Sequence, residues 1–563
     1  MQRREFLRYG VLTAPTLRTS LSDLHLLFSG VPAAPSIAAS VDVRDPGRKI
    51  DRYWRRCVGA GRANEGLRTS WQQQLKLCVD RCGFQYLRFH GLFHDDMFVY
   101  REQDGNPVYN WQYIDDLFDR MLSMGIRPFV ELTFFPKEIA HDEGTFAWWR
   151  GHGTPPKDFT GWTKLIEQFI RHCQSRYGAD EVRTWYFEIW NEPNLKGFWN
   201  GTQQQFFEMY KAVSKMVKDL DPALRIGGPA TSSFHPDEET YRRLASKKDI
   251  TAKDYIGVIS KGPWIEDFLA YCENQSLPLD FNSTHPYPTS YPIDSAGNSL
   301  EVSRPVTSTR EDILWVRDAM SKTRYAGAEI HLTEWSSSPS LNDYAHDFPQ
   351  EATYIVKVNL DCIGLANSLS YWTFTDIFEE AGGAASVFSG CFGLLNFQGI
   401  AKPSFHAYRF LNLLGDTELL RREGCVVTRS SASGAIASVF YNYPGEILSA
   451  PPISKANPKI AEETLGTGQR LESRLELSGL AAGTTFRVET LDGQHGFAYR
   501  AWLAMGRPEP PDRAQTDELR KQGEATQKIT LRASSEGKLT WSATLEPWAV
   551  VAIYQDWGDT SLP

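Results

Sequence analysis

Trp185-Tyr186-Phe187-Glu188-Ile189-Trp190-Asn191-Glu192-Pro193-Asn194 decides how this chain is read. Its aromatic, apolar half predicts a buried strand. Pro193 predicts the strand's end, because proline has no N–H to give a ladder and pushes the residue before it toward extended backbone. Glu192 is thereby fixed at a strand terminus against apolar surface, a setting that favours the neutral carboxyl. A second carboxylate has the same setting: Glu334 ends Ile330-His331-Leu332-Thr333-Glu334-Trp335. Two strand-end glutamates far apart in sequence can share one site if the strands close into a barrel.

Outward from this segment, strand-like and helix-like stretches alternate. Apolar strand candidates lie at 58–61, 85–91, 128–133, 183–190, 225–230, 280–285, 329–333 and 368–374, with amphipathic stretches at 70–82, 111–124, 159–177, 202–220, 265–274, 309–321 and 351–364 between them. This pattern predicts an α/β fold, a (β/α)8 TIM barrel over residues 41–415. An open doubly wound sheet is the alternative, but Gly59-Ala60-Gly61-Arg62 lacks the rest of a nucleotide-binding fingerprint. Beyond 415 the texture changes to short alternating runs at 426–430, 436–443, 485–490, 526–532, 538–542 and 550–554, which predict a β-sandwich over 416–563. The polar stretch 444–472 reads as loop, and 507–522 as Pro-rich and then helical.

Composition narrows the function classes. A net charge of −9 without a basic run argues against nucleic-acid binding and mildly against a polyanionic substrate. No apolar run reaches membrane-spanning length. The eight cysteines form no Cys-x-x-Cys pair, so they read as buried free thiols rather than a metal cluster or a disulfide framework. Residues 1–40 read as a leader: Arg3-Arg4-Glu5-Phe6-Leu7 resembles a twin-arginine export signal, which implies a periplasmic or secreted protein, but Pro15 and Arg18 make a poor apolar core and leave a cytoplasmic location as the alternative.

Glu192 would follow the fourth barrel strand and Glu334 the seventh, where barrels place reacting groups. Retaining glycosidases hold two carboxyls about 5–5.5 Å apart, one as nucleophile and one as acid and then base. Glu192 is assigned as acid/base and Glu334 as nucleophile. Glu188, four residues earlier, is expected deeper in the barrel or in a structural ion pair.

At this point the chain resembles glycoside hydrolase family 39, nearest its β-xylosidases, with α-L-iduronidases as relatives. The motif Asn191-Glu192-Pro193 marks only a wider clan of barrel glycosidases. More specific are Arg88-Phe89-His90-Gly91-Leu92-Phe93-His94-Asp95-Asp96-Met97, Ser283-Thr284-His285-Pro286-Tyr287-Pro288 and Tyr371-Trp372-Thr373-Phe374-Thr375-Asp376-Ile377-Phe378-Glu379-Glu380. The likeness continues past the barrel in Asp492-Gly493-Gln494-His495-Gly496 and around Trp502 to Pro508. The resemblance implies that Asn191 bonds a sugar 2-hydroxyl. It also implies that Arg88 keeps the nucleophile ionised, that His90 meets a sugar hydroxyl, that Tyr287 bonds the nucleophile and that His285 sits beside the acid. Trp372 would be the floor for the sugar ring, Phe134 a wall or core packing, and Glu379 and Glu380 ligands of sugar hydroxyls. Pocket carboxylates would repel a uronate's own charge, which favours a neutral sugar. Phe134-Phe135 departs from a pairing with Met associated with the β-xylosidases, which bears on the leaving-group side of the pocket.

The expectation is therefore a retaining, exo-acting glycosidase that releases xylose from xylo-oligosaccharides. An α-L-arabinoside, an α-L-iduronide or an exopolysaccharide is the alternative substrate, and a non-catalytic carbohydrate-binding protein the alternative class. The partner is an oligosaccharide or glycoside. No metal or organic cofactor is needed by this chemistry, and a homo-oligomer is open.

Overall fold

The computed structural model describes residues 35–141, 144–247, 249–292 and 300–555. Residues 1–34, including the export-signal motif, lie outside the described residues.

Eight parallel strands close a barrel in chain order: Cys57–Arg62, Tyr86–His90, Arg127–Leu132, Tyr186–Ile189, Arg225–Ser232, Phe281–His285, Glu329–Trp335 and Ser368–Tyr371. They are called the first to eighth barrel strands below. Each leads to a helix: Thr69–Cys82, Gln112–Ser123, Thr160–Tyr177, Gln203–Leu220, Ile265–Asn274, Ser308–Ser321, Pro349–Asp361 and Pro403–Leu413. The fourth strand is shorter than expected, because residues 183–185 turn away from the helical turn Ala179–Val182 before the strand begins at Tyr186.

Alternation along these strands sorts side chains between two environments. Cys57, Tyr86, Phe129, Tyr186 and Phe281 point inward at the start of their strands and fill the barrel floor. Phe129 stacks on Tyr186 with ring centroids 4.7 Å apart. Two residues further along, the inward positions of the second, third and fourth strands become Arg88, Glu131 and Glu188, all fully buried. The intervening Leu87, Phe89, Val130, Leu132 and Phe187 belong to the shell shared with the helices. The barrel interior is thus apolar at one end and ionic at the other.

The second domain is a sandwich. A seven-stranded sheet runs in the order Arg48–Lys49, Thr417–Arg422, Cys425–Arg429, Ile436–Tyr441, Val550–Gln555, Thr485–Leu491 and Gln527–Arg532. It faces a three-stranded sheet of Ser36–Asp42, Leu471–Ser478 and Leu539–Leu545. Leu471–Ser478 alternates between buried and more exposed positions residue by residue, the pattern of a strand with one face on a core. Leu475, Leu477, Trp541 and Leu545 from this sheet meet Phe440, Phe486, Val551 and Ile553 from the other.

Two sequence boundaries need correction. The leader does not extend to residue 40: Ser36–Asp42 is a strand paired in parallel with Leu471–Ser478, and it buries Ala39 and Val41. Residues 36–49 therefore belong to the sandwich, which is built from both ends of the chain. This strand was missed because its small side chains carry little hydrophobic pattern. The stretch 444–472 is not all loop, since Pro458–Leu465 is helical. That helix, with Ala498–Ala504 and Arg513–Glu524, packs Ala461, Tyr499, Trp502 and Leu519 against Phe348, Phe388 and Ile400 of the barrel loops. All eight cysteines are buried and unpaired. No helix among the described residues is long and apolar enough to cross a membrane.

A deletion ending at Val43 removes three buried apolar side chains, and its thermal midpoint should fall below that of a deletion ending at Pro35. The stability cost is of order several kcal/mol at about 1.5–3 kcal/mol per large buried aliphatic side chain. Equal midpoints in calorimetry would show that Ser36–Asp42 contributes nothing to the sandwich.

Candidate active site

The two glutamates named from the sequence meet at the C-terminal mouth of the barrel. One side-chain atom each from Glu192, His285 and Glu334 lies within 4.8 Å of the other two. So close an approach of one oxygen from each carboxyl fits the roughly 5–5.5 Å between the groups of a retaining pair better than the roughly 6.5–9.5 Å of an inverting one. Both carboxyls line a cavity of about 570 Å³ together with His90, Tyr287, Trp372 and Glu380.

Local backbone irregularity aims them. The fourth strand stops at Ile189, and Trp190 and Glu192 then take left-handed backbone, with φ of 73° and 43°. Proline did end the strand, but Glu192 is not extended as its place before Pro193 suggested. Tertiary contacts override the local preference. The Trp190 indole is buried among Phe135, Trp162 and Trp199, and the Glu192 N–H donates to the Ala230 carbonyl at 2.9 Å. Left-handed backbone at bulky residues is sparsely populated and concentrates at functional sites. On the seventh strand, pairing with the eighth slips between Leu332 and Trp335, where Glu334 leaves the ladder. Slips of this kind re-aim side chains beside active sites.

Arg88 organises the layer beneath. Its Nε donates to Glu188 at 2.6 Å, Nη1 to Glu334 at 2.7 Å, and Nη2 to the Asn191 side-chain oxygen at 2.7 Å, with Glu131 also 2.7 Å from Nη2. One buried cation thus faces carboxylates from three other strands. His90 follows on the same face and contacts Glu131 through Nδ1 at 2.8 Å. Burial disfavours its charge, but Glu131 and then Glu334 outweigh burial and push His90 up to about 9. His90 is therefore imidazolium at neutral pH, and its Nε2, 3.6 Å from Glu334, is free to donate toward a ligand. Glu131 is held below the usual carboxylate range, because Arg88 and His90 overcome its burial.

The two central glutamates have opposite surroundings. Glu334 receives Arg88 on Oε1 and the Tyr287 hydroxyl on Oε2 at 3.0 Å, so both oxygens accept from donors. Glu192 has no cation in hydrogen-bond contact, and burial pushes it up to about 7. Its Oε1 lies 2.9 Å from Nδ1 of His285. Glu380, half-buried at the cavity wall, is raised to about 7 chiefly by burial.

Trp372 lies across the mouth, 4.8 Å from the His90 ring. Gly59 permits this: a Cβ there would stand 2.5 Å from the indole. The loop beyond Trp372 is moored by Lys402, fully buried between Asp347 at 2.7 Å and Asp376 at 2.8 Å. Asn191 is fully buried, and its Nδ2 has no hydrogen-bond partner.

Two expected site residues are elsewhere. Phe134 is buried behind the cavity against Trp149 and Trp190, so it is core packing, and Phe198 takes the wall position. Glu379 pairs with Arg62 at 3.1 Å and Arg68 at 2.5 Å, and these ion pairs turn it to fasten the loop rather than line the cavity. Three site residues carry no expectation from the sequence: Glu131, Thr333, whose hydroxyl lies 3.0 Å from His285 Nε2, and Ser232, which lines the cavity beside Glu192. Glu131 had a usable signal, a charge at an inward position of an apolar strand; Thr333 and Ser232 had none.

A carboxyl that favours its proton and a carboxylate held by a cation, face to face at the mouth of a (β/α)8 barrel, define a retaining glycoside hydrolase. The family model for glycosyl hydrolases family 39 matches residues 37–540, and the chain belongs to that family. It is 35% identical over 516 residues to a β-xylosidase of Caldicellulosiruptor saccharolyticus, covering 90% of this chain and 95% of that protein. The crystal structure of a monomeric β-xylosidase from Caulobacter crescentus superposes with a TM-score of 0.79 at 31% identity, over 92% of this chain and 99% of that one. An α-L-iduronidase of Canis lupus familiaris is 32% identical over a shorter span of 174 residues, 30% of this chain and 25% of that protein.

Glu380 gives the site a pH signature. Its carboxyl is raised in the fold, so the stability it contributes is full below its ordinary value near 4.5 and is lost as pH rises through about 7. Glu380→Gln should gain on the wild type by a few °C in Tm between pH 5 and pH 8. A difference in Tm that is flat with pH would contradict this.

Proposed function

We propose that this protein is an exo-acting β-xylosidase that releases xylose from β-1,4-xylo-oligosaccharides by double displacement. The observation that carries the reading is the meeting of Glu192 and Glu334 within 4.8 Å across one cavity. Glu334 attacks the anomeric carbon while Glu192 gives its proton to the leaving oxygen. A covalent glycosyl-enzyme forms on Glu334. Glu192, now ionised, takes a proton from water, and the water oxygen displaces Glu334. Arg88 and Tyr287 hold the nucleophile's two oxygens, which fixes its direction. The unpartnered Nδ2 of Asn191 suits a sugar 2-hydroxyl, a contact that strengthens in the transition state.

Substrate charge separates the xyloside from the iduronide. No arginine or lysine is among the described residues lining the cavity, whereas Glu192, Glu334 and Glu380 are. A uronate carboxylate would face three carboxyls, and the one cation lining the cavity among the described residues, the His90 imidazolium, is already paired with Glu131, so burying the uronate costs several kcal/mol. The cavity's volume, about 570 Å³, suits a sugar ring and its aglycone better than a long chain. The relatives' activities favour the same sugar.

The test is a panel of aryl glycosides with NMR detection of the first-formed sugar. Aryl β-xylosides should be cleaved with retained configuration, and aryl α-L-iduronides should not. Glu334→Gln should lose activity on the order of 10⁴-fold or more. Glu192→Ala should lose about 10²–10⁴-fold on poor leaving groups and far less on activated ones, because only the former need the proton. Inverted product, or equal loss on both leaving-group types, would overturn the assignment.

A further inference from the structure

We infer that Thr333 and His285 form a one-way hydrogen-bond chain that keeps the transferable proton on Glu192, which makes both of them positioning residues for the acid. The inference rests on Glu192 being the acid/base, and it concerns how that proton is held.

The direction of each bond follows from the one before it. Glu188 accepts from the Arg88 guanidinium at 2.6 Å, so it stands in the chain as the acceptor of an ion pair. Thr333 lies 2.8 Å from Glu188 and has a single hydroxyl proton, which must go there; otherwise two lone pairs would face each other in a fully buried site. The Thr333 oxygen is then an acceptor for its other neighbour, Nε2 of His285 at 3.0 Å. Nε2 therefore carries a hydrogen. On a neutral ring, that leaves Nδ1 bare, and Nδ1 faces Glu192 Oε1 at 2.9 Å. The bond between them needs a proton on Glu192.

Neutrality of the ring is set by its surroundings. His285 is faced by Glu192 and Glu188 from the fourth strand and its end, Glu334 from the seventh, Arg88 from the second and Glu131 from the third. Burial opposes a charge here, and Arg88 adds to that against the carboxylates, so the ring is pushed down to about 4. The chain thus runs from a fixed cation to the acid: Arg88, Glu188, Thr333, His285, Glu192.

The same chain serves both halves of the reaction. In the first, the Glu192 O–H bond breaks, its proton goes to the leaving oxygen, and the bond from the anomeric carbon to that oxygen is replaced by one to Glu334. In the second, the ionised Glu192 oxygen faces a bare nitrogen lone pair. That repulsion favours recovery of a proton from water as the water oxygen bonds the anomeric carbon and Glu334 leaves.

The test is Thr333→Val, which keeps the shape and removes the acceptor for Nε2–H. His285 should then move its hydrogen to Nδ1 and donate to an ionised Glu192. The basic limb of the kcat/KM profile should shift down by roughly one pH unit. At pH 7, poor leaving groups should lose about tenfold and activated ones no more than about twofold. Thr333→Ser should restore the wild-type profile. ¹⁵N NMR of histidine-labelled protein, with His285 assigned by its missing signals in His285→Gln, should show Nε2–H in the wild type and Nδ1–H in Thr333→Val. The NMR readout needs no turnover: a wild type that cleaves no aryl glycoside yet shows Nε2–H refutes the glycosidase reading and not the chain. An Nδ1–H tautomer or an imidazolium in the wild type at pH 6, or an unmoved basic limb in Thr333→Val, would overturn the inference.

Discussion

Arg88 is a fully buried cation among three carboxylates that come from three other strands. Removing any of these charges from water costs several kcal/mol, so each is tolerated only where a partner and hydrogen bonds compensate it. The barrel meets that requirement by geometry. The inward positions of adjacent strands fall in one layer, and the guanidinium in that layer reaches Glu131, Glu188 and Glu334 together. Loss of Arg88 would leave a knot of like charge in the driest part of the molecule. The positions of Asn191, His90 and Glu334 all derive from this one group.

The functional asymmetry follows. Glu334 touches Arg88, and its second oxygen takes the Tyr287 hydroxyl. Glu192 stands one residue beyond Asn191, out of the guanidinium's hydrogen-bonding reach, with its own oxygen on a neutral imidazole. Two chemically identical side chains are thereby given opposite surroundings within 4.8 Å of each other: burial raises Glu192 to about 7, and Glu334 is paired with a cation. The loop carrying Trp372 and Glu380 completes the cavity, and it is anchored from behind by Lys402 and by the helices inserted in the sandwich. The second domain therefore supports the wall of the site, although none of its described residues lines the cavity.

Much of this was legible in the residue order because period-2 alternation and strand-end carboxylates are local signals. Glu192 and Glu334 are placed together by their strand ends alone, and Arg88, His285 and Tyr287 join them through the resemblance to glycoside hydrolase family 39. Other features depend on contacts that no window of sequence contains. Ser36–Asp42 is a strand only because Leu471–Ser478 offers it an edge. Glu192 is left-handed rather than extended because Trp190 is drawn into an aromatic cluster and Ala230 accepts its N–H. Glu379 and Glu380 are chemically alike in sequence, and only the position of Arg62 and Arg68 turns one to a structural ion pair and leaves the other at the cavity. Thr333 is silent in sequence, since its significance lies in the two partners that fix its hydroxyl proton.

Double displacement requires Glu334 to become the covalent carrier of the sugar. A 2-deoxy-2-fluoro xyloside with an activated leaving group slows the second displacement more than the first, so the intermediate accumulates, and peptide mass spectrometry can then locate the sugar. One pentosyl adduct per chain is expected, on the peptide that holds Glu334. An adduct on Glu192 or on any other residue, or steady inactivation-free hydrolysis with inversion, would contradict it.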